Sequence, residues 1–238
     1  MRPHRTALVV ALGAAALLGG CSSSAPGTDA TSTVTVTETG AGLSPDRQQL
    51  TAAEVTRAVS KDAPTGFLLD PGGADPAQDP DSQRTTDPAS CLALYLDTPQ
   101  MRTFADEHVT AADRARYSDS GDGIGTLLVT LWTHDERYPT RFLDEAGAAL
   151  ADCSGFSATF RPGEARSPYR ATTIAVPQIG DQSFGVRIGS PGGGVTVDEL
   201  WVANGHNLVH VRMVSDYHQD NAPLLDKTAR GVLEGLGG

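Results

Sequence analysis

Four apolar, β-branched segments follow one another between residues 170 and 215 with no helical pattern among them. No other feature constrains the fold of this 238-residue chain as strongly. The segments are Arg170–Val176, Ser183–Ile188, Val195–Ala203 and Leu208–Ser215. Asn204-Gly205 stands between the last two, and both residues tolerate positive φ, so a tight hairpin is expected there. Upstream, Thr51-Ala-Ala-Glu54 has the form of a capping box and starts a helix to about Ser60, with Val55, Ala58 and Val59 on one face. Phe67–Leu69 reads as a short strand and Asp70–Pro88, rich in Pro, Gly and Asp, as a long surface loop. Helices are expected over Pro88–Asp97, Thr98–Val109 and Tyr138–Cys153, with a final one from Ala222 to Leu236. Arg116–Ser120 and Ile124–His134 read as strands paired around Gly121-Asp122-Gly123. Helices thus precede and follow hairpin-connected strands without regular βαβ alternation. The pattern predicts one α+β domain, an antiparallel twisted sheet with helices packed mainly on one face.

The N-terminus carries a different signal. Arg2 and Arg5 precede an apolar run, Ala7–Leu18, which ends in Leu18-Gly19-Gly20-Cys21 and then turns polar at Ser22-Ser23-Ser24. The run is shorter than the ~20 residues that span a bilayer. It has the layout of an exported, cleaved segment. The pattern resembles the bacterial lipobox, which implies that residues 1–20 are a signal peptide and that Cys21 is acylated (palmitate among the chains) as the first mature residue. Residues 21–47 hold Ser, Thr, Gly, Ala and Pro without apolar periodicity, and read as a disordered tether. Such a coil holds the following domain, residues 48–238, roughly 25–30 Å from the lipid. With Cys21 assigned to lipid, Cys91 and Cys153 remain, and in an exported protein an even pair reads as a disulfide, the alternative being two buried thiols.

The formal net charge is −11, and the mature chain, without Arg2 and Arg5, is more negative by two. That balance disfavours nucleic acid and anionic headgroups, which need clustered basic side chains. Membrane attachment then rests on two or more acyl chains at Cys21. Only two of the 18 basic residues, Lys61 and Lys227, are lysines, the bias that a GC-rich genome such as an actinobacterial one produces.

The order of motifs carries a family likeness. Asp87-Pro88-Ala89-Ser90-Cys91 opens a helix, and a strand ends in Leu131-Trp132. Then come the helix from Tyr138-Pro139 to Leu150-Ala-Asp-Cys153 and Ile179-Gly180-Asp181-Gln182-Ser183 before a strand. This order resembles the PknH-like extracellular sensor domain of actinobacterial receptor kinases and stand-alone lipoproteins, over about residues 48–238. That family often has a Trp shortly before its second cysteine and a second cysteine pair. Here Leu150 takes the former place and the extra pair is absent. The resemblance implies an extracytoplasmic sensing or binding domain with no kinase on this chain.

Catalytic signals are weak. There is no Gly-x-Ser-x-Gly elbow. Ser183 or Ser215 with His134, His206 or His210 are chance combinations in a chain with several of each. His206 and His210, four apart on or beside a strand, lie about 13 Å apart, too far to share a metal. Asp119-Ser-Gly-Asp122-Gly123 and the carboxylates Asp70, Asp75, Asp79 and Asp81 lack the alternating ligands of an EF-hand, and Gly189–Gly194 lacks a P-loop lysine. No cofactor is expected. Trp132 and Trp201 each lie in an apolar strand, where core packing is the default. If either faces outward beside Tyr95, Tyr138 or Phe184, it marks a binding groove, and the two are the candidate ligand-binding residues.

These readings converge on a membrane-anchored lipoprotein at the extracytoplasmic face of the cell membrane. Its domain is a non-catalytic sensor or binding module, with the bilayer as one partner and a cell-wall, lipid or protein ligand as the other. The alternatives are a carrier for a lipid or small molecule in the cell envelope, and an envelope enzyme with an unrecognised site. Cys21→Ser is expected to release the chain to the medium or leave it uncleaved, as read by membrane fractionation. Retention on the membrane with cleavage intact refutes the anchor.

Overall fold

The computed structural model describes residues 47–59, 63–70, 82–121 and 125–236. The signal peptide, Cys21, the tether up to residue 46, most of the loop over 71–81 and part of the Gly121-Asp122-Gly123 turn lie outside the described residues. The strands are β1 Phe67–Leu69, β2 Thr85–Asp87, β3 Val109–Asp119, β4 Thr126–His134, β5 Phe156–Thr159, β6 Ser167–Thr173, β7 Gln182–Gly189, β8 Val195–Asn204 and β9 Asn207–Asp216. The helices are α1 Ala52–Val59, α2 Pro99–His108, α3 Arg141–Ala149 and α4 Ala222–Glu234, with a 3-10 helix at Ala89–Tyr95. The nine strands form one sheet in the order β1-β3-β4-β9-β8-β7-β6-β5-β2. Every pairing is antiparallel.

The antiparallel α+β fold expected from the sequence is the one observed, with one correction: helices cover both faces. Leu127, Val129 and Leu131 of β4, Val209 and Val211 of β9 and Leu200 and Val202 of β8 pack with Val55, Ala58 and Val59 of α1 and Leu225, Ala229 and Val232 of α4. The alternate residues Trp132, Leu208 and Trp201, with Val186 and Ile188 of β7, pack with Leu94 of the 3-10 helix, Met101 and Phe104 of α2 and Phe142, Leu143 and Ala146 of α3. The reason is legible in β4, β8 and β9. Each carries large apolar side chains on both alternating sets of positions (Leu131 and Trp132, Leu200 and Trp201, Leu208 and Val209), so a cover on one side alone leaves large side chains in water, at about 1.5–3 kcal/mol each.

Local signals place the helices. The Thr51 amide donates to Glu54 Oε2 at 2.7 Å, and the Glu54 amide approaches Thr51 Oγ1 at 3.4 Å, closing the box at α1. Thr98 caps α2 by accepting from the Met101 amide at 3.3 Å, with Pro99 in the first turn. Two short strands, β2 and β5, were not expected, and β3 begins at Val109 instead of Arg116. Polar composition hid them: Thr110, Asp113, Arg114 and Arg116 break the apolar alternation of β3, which pairs with β4 over its whole length except at a bulge near Val109.

The β8–β9 turn is Gly205-His206, with Asn204 paired to Asn207 as the last strand residues. Gly205 alone takes positive φ there, at +63°. The expected pair, Asn204-Gly205, is therefore shifted by one. A Gly at the first central position is the type II′ requirement. A Cβ on Gly205 meets the Arg47 carbonyl oxygen at 1.7 Å, so no other residue fits. The reason is that the chain enters the domain here: the His206 amide donates to Arg47 O at 3.0 Å and Asn207 Nδ2 to Gln48 O at 2.9 Å. Asp181 completes the joint, accepting from the Gly205 amide at 2.7 Å and pairing with Arg47 at 3.0 Å and Arg137 at 2.9 Å.

Cys91 in the 3-10 helix and Cys153 beyond α3 form a disulfide with a Cα–Cα distance of 5.7 Å and a sequence separation of 62. Both cysteines are fully buried. A loop of that length corresponds to ~4 kcal/mol in the chain-entropy description. The double variant Cys91→Ala/Cys153→Ala is expected to lose about 2–4 kcal/mol in urea unfolding. Thiol titration of the unfolded, unreduced wild-type domain is expected to find neither thiol.

Candidate functional site

The disulfide-bearing face of the sheet is not fully closed. Between the end of the 3-10 helix, the segment before β2 and the strands β3, β4, β9 and β8 lies a cleft of about 360 Å³. Strand register builds its floor. Trp201 pairs with His210 and Glu199 with Arg212 across β8 and β9, while His210 pairs with Thr130 and Thr130 with Arg114 across β9, β4 and β3. Residues two apart share a face, so Arg114, Trp132, His210, Arg212, Glu199 and Trp201 all present to one cavity.

The wall comes from the 3-10 helix. Leu96 ends it in the left-handed region at φ 49°, a conformation that costs a non-glycine residue roughly 1–2 kcal/mol. The Asp97 amide then returns to Leu92 O at 3.1 Å, and the chain turns Asp97 into the cleft. There Asp97 accepts from Ser82 Oγ at 2.7 Å and Arg84 Nη1 at 2.9 Å, with Arg102 at 3.5 Å. The Arg84 guanidinium also lies over the Tyr95 ring, 4.3 Å from its centroid, and near Phe160 at 5.3 Å. Because Tyr95 and Asp97 follow Cys91 by only four and six residues, the disulfide anchors this wall.

The floor is aromatic and charged at once. The Trp201 and His210 rings stack at 3.6 Å with an interplanar angle of 1°, and Trp132 lies 6.2 Å from Trp201. Glu199, only 3% exposed, sits beside them, 3.6 Å from Arg212 Nε and 3.9 Å from His210 Nε2. Burial holds the Glu199 carboxyl above the usual carboxylate range, against the opposing pull of Arg212 and Arg84. Burial, reinforced by Arg212, Arg114 and Arg84, holds His210 well below its ordinary value, so the imidazole is neutral at pH 7. Among the described residues, Glu199 Oε2, Trp201 Nε1, Tyr95 OH, His210 Nε2 and Arg212 Nε are buried with no hydrogen-bond partner. Folded cores seldom leave such groups unmatched, and here they concentrate in one cleft.

The two tryptophans singled out in the sequence are brought together here and Tyr95 joins them, although both indoles are 5% exposed or less and offer edges instead of open faces. Tyr138 and Phe184 pack in the core of the same face and do not line the cleft. The charged residues Arg84, Arg102, Arg114, Glu199, His210 and Arg212 were missed as a site. A usable signal existed: Glu199 and Arg212 interrupt otherwise apolar strands at positions that the hairpin register places opposite each other. The histidine–serine combinations separate. Ser215 and His210, on opposite faces of β9, diverge, and Ser215 is engaged by Asn221 Nδ2 at 2.7 Å. His134 and His206 each donate from Nδ1 to the other's carbonyl oxygen, at 2.8 and 3.0 Å, at the sheet end. Among the described residues no group of three or more His, Cys, Asp or Glu is placed to hold a metal ion.

With this geometry in hand, the fold finds a counterpart. The chain shares its fold with the extracellular domain of PknH from Mycobacterium tuberculosis. The two superpose with a TM-score of 0.55 at 12% identity, over 80% of this chain and 98% of that one. The expectation drawn from the order of motifs is thereby met at the level of fold. An uncharacterised Mycobacterium smegmatis protein, the Rv0999 ortholog, aligns at 18% identity with a TM-score of 0.42, over 77% of this chain and 97% of its own. No family model and no curated protein matches the chain.

The buried carboxyl makes a pH prediction. Below about pH 4, near the ordinary Glu value, Glu199 is protonated folded and unfolded alike, and an amide in its place changes little. As pH rises through its raised folded value the buried charge opposes folding. Glu199→Gln is therefore expected to raise the melting temperature by a few degrees at pH 8 and to lose that gain near pH 4. Calorimetry across this range reads the difference, and an unchanged or lowered melting point at pH 8 contradicts the assignment.

Proposed function

We propose that this chain is a lipid-anchored, non-catalytic binding or sensor module on the outer face of the cytoplasmic membrane, and that the Glu199–Trp201 cleft is where it binds. The observation that carries the reading is the set of buried, unpartnered polar atoms lining a cleft with a cationic rim. The lipobox at Cys21 supplies the anchor in this reading, and the tether supplies reach into the cell wall. Its fold is that of an extracellular domain, which supports the same address. No helix of the described residues is long and apolar enough to cross a membrane, and attachment through acyl chains requires none.

The carrier reading needs a roomy apolar cavity. The apolar crevice between α1, β3 and α4, lined by Val59, Tyr117, Leu224 and Val232, is about 240 Å³ and falls below the ~300 Å³ lower end of ligand pockets. The larger cleft is lined by charged and polar groups. The serine–histidine pairs considered for an enzyme do not assemble at the cleft, since Ser183 and Ser215 face the other side of the sheet.

Trp132 and Trp201 are the chain's two tryptophans, and both line the cleft, so intrinsic fluorescence reports occupancy directly. Titration of the full chain with fractionated cell-envelope extract is expected to give a saturable fluorescence change that Arg212→Gln abolishes, with the ligand recovered unaltered. Multiple-turnover conversion of the ligand, lost on a single His or Ser change, overturns the proposal in favour of an enzyme.

A further inference from the structure

We propose that the ligand of this cleft is a neutral, polyhydroxylated molecule, an uncharged sugar unit seated on Glu199, Trp201 and His210. This rests on the binding-cleft reading above and adds the ligand's chemistry. The first argument is that the cations of the cleft are already engaged. Arg84 and Arg102 meet Asp97 at 2.9 and 3.5 Å, and Arg102 also donates to Ser82 O at 2.9 Å. Arg114 donates through Nε to Thr130 Oγ1 at 3.0 Å, and Arg212 Nε stands 3.6 Å from Glu199 Oε1. An ionic ligand gives up its own hydration and competes with these partners, whereas a neutral one leaves them in place.

The second argument is which groups of the floor lack a hydrogen bond. Glu199 Oε2, Trp201 Nε1 and His210 Nε2 are buried and unpartnered, and Tyr95 OH and Arg212 Nε are so in the same cleft. Glu199 Oε2 and His210 Nε2 are 3.9 Å apart, too far to bond directly and near enough for one oxygen to reach both. Burial raises the Glu199 carboxyl and the Trp201 N–H pulls it back down, yet the two close no hydrogen bond. An atom placed among these groups has to donate and accept at once, because the indole only donates and the carboxylate only accepts. A hydroxyl oxygen does both. An amide separates the two functions, its N–H and C=O pointing to opposite sides of the trans peptide plane. An ammonium leaves the indole N–H unmet, and a carboxylate leaves Glu199 unmet. Several hydroxyls on adjacent carbons are what a sugar offers. Phe160, 39% exposed on the rim, adds an apolar surface for the C–H groups of such a ring. Size agrees: about 360 Å³ is at the lower end for ligand sites and suits one or two sugar rings.

The test is tryptophan fluorescence and calorimetric titration of the full chain with D-glucose, D-galactose, D-mannose, D-arabinose and N-acetyl-D-glucosamine. D-glucuronate, inorganic phosphate and N-acetylglycinamide are the charged and amide comparisons. At least one neutral sugar is expected to bind saturably, with an affinity that changes less than about twofold between low and high salt, since no ion pair forms with it. Trp201→Phe keeps an aromatic ring and removes only the N–H, leaving Trp132 as the reporter. Glu199→Gln keeps the shape of the floor and relieves a buried charge. Each variant is expected to weaken the bound sugar by about tenfold. Sugar binding that is indifferent to both variants overturns the proposal. D-glucuronate or inorganic phosphate binding more tightly than every neutral sugar overturns it in favour of an anion, and N-acetylglycinamide doing so overturns it in favour of a peptide. No binding of any neutral sugar overturns it too. If that occurs while envelope extract still gives an Arg212-dependent fluorescence change, the ligand class is wrong and the cleft stands. If the extract response is also indifferent to Arg212→Gln, the cleft reading itself is wrong.

Discussion

The two-residue turn at Gly205-His206 sets the register on which the rest of this structure depends. Pairing Asn204 with Asn207 places Trp201 opposite His210 and Glu199 opposite Arg212, all on one face. Slippage by one residue sends Glu199 and Arg212 into the apolar layer against α1 and α4, and exposes Leu200 and Val211 to the cleft side. The turn is secured from outside the hairpin as well. Gly180, at φ 66°, brings its backbone so close that a Cβ there meets Ala203 O at 2.5 Å, and Asp181 grips the Gly205 amide. The Ile179-Gly180-Asp181 stretch of the family-like pattern thus has a mechanical role: it locks the central hairpin to the segment where the chain enters the domain.

Adjacent residues of β8 show how structural and functional polar groups differ. Asp198 is fully buried and fully matched: Arg187 donates through Nε at 2.7 Å and Nη2 at 2.6 Å, and Asn221 through Nδ2 at 2.8 Å. Such a network closes the α4 side of the sheet and leaves nothing to bind. Glu199, one residue on and facing the other way, is nearly as buried, yet its Oε2 has no hydrogen bond among the described residues. A carboxyl held above its usual range by burial opposes folding once it ionises, unlike the matched Asp198 beside it. The left-handed Leu96 on the opposite wall is a second local cost in the same place.

The cleft's rigidity comes from three directions. The sheet supplies the floor, the Cys91–Cys153 bridge holds the 3-10 helix against the end of α3, and the Asp97–Arg84–Arg102 cluster ties the segment before β2 to α2. A site on such a frame is preorganised, so little ordering cost is left for binding. At 12% identity the PknH extracellular domain has the same fold.

Much of this was legible in the chain. The capping box at Thr51, the strand sequence from β6 to β9, α4 and the disulfide pair all follow from short-range rules: cap geometry, a period of two or 3.6, and cysteine parity in an exported chain. Trp132 and Trp201 were visible as candidates because large aromatics in strands bury or bind. What could not be read were β2 and β5, which at three and four residues are too short for a periodic signal to stand out. Nor could the charged half of the cleft be read. Arg84, Arg102, Arg114, Glu199 and Arg212 lie on five separate elements spread over more than a hundred residues, and only the sheet order β3-β4-β9-β8 brings them together. Local sequence determines which elements form because their signals act within a few residues. Tertiary structure alone decides which charges meet, because that depends on strand order and register summed over the whole sheet.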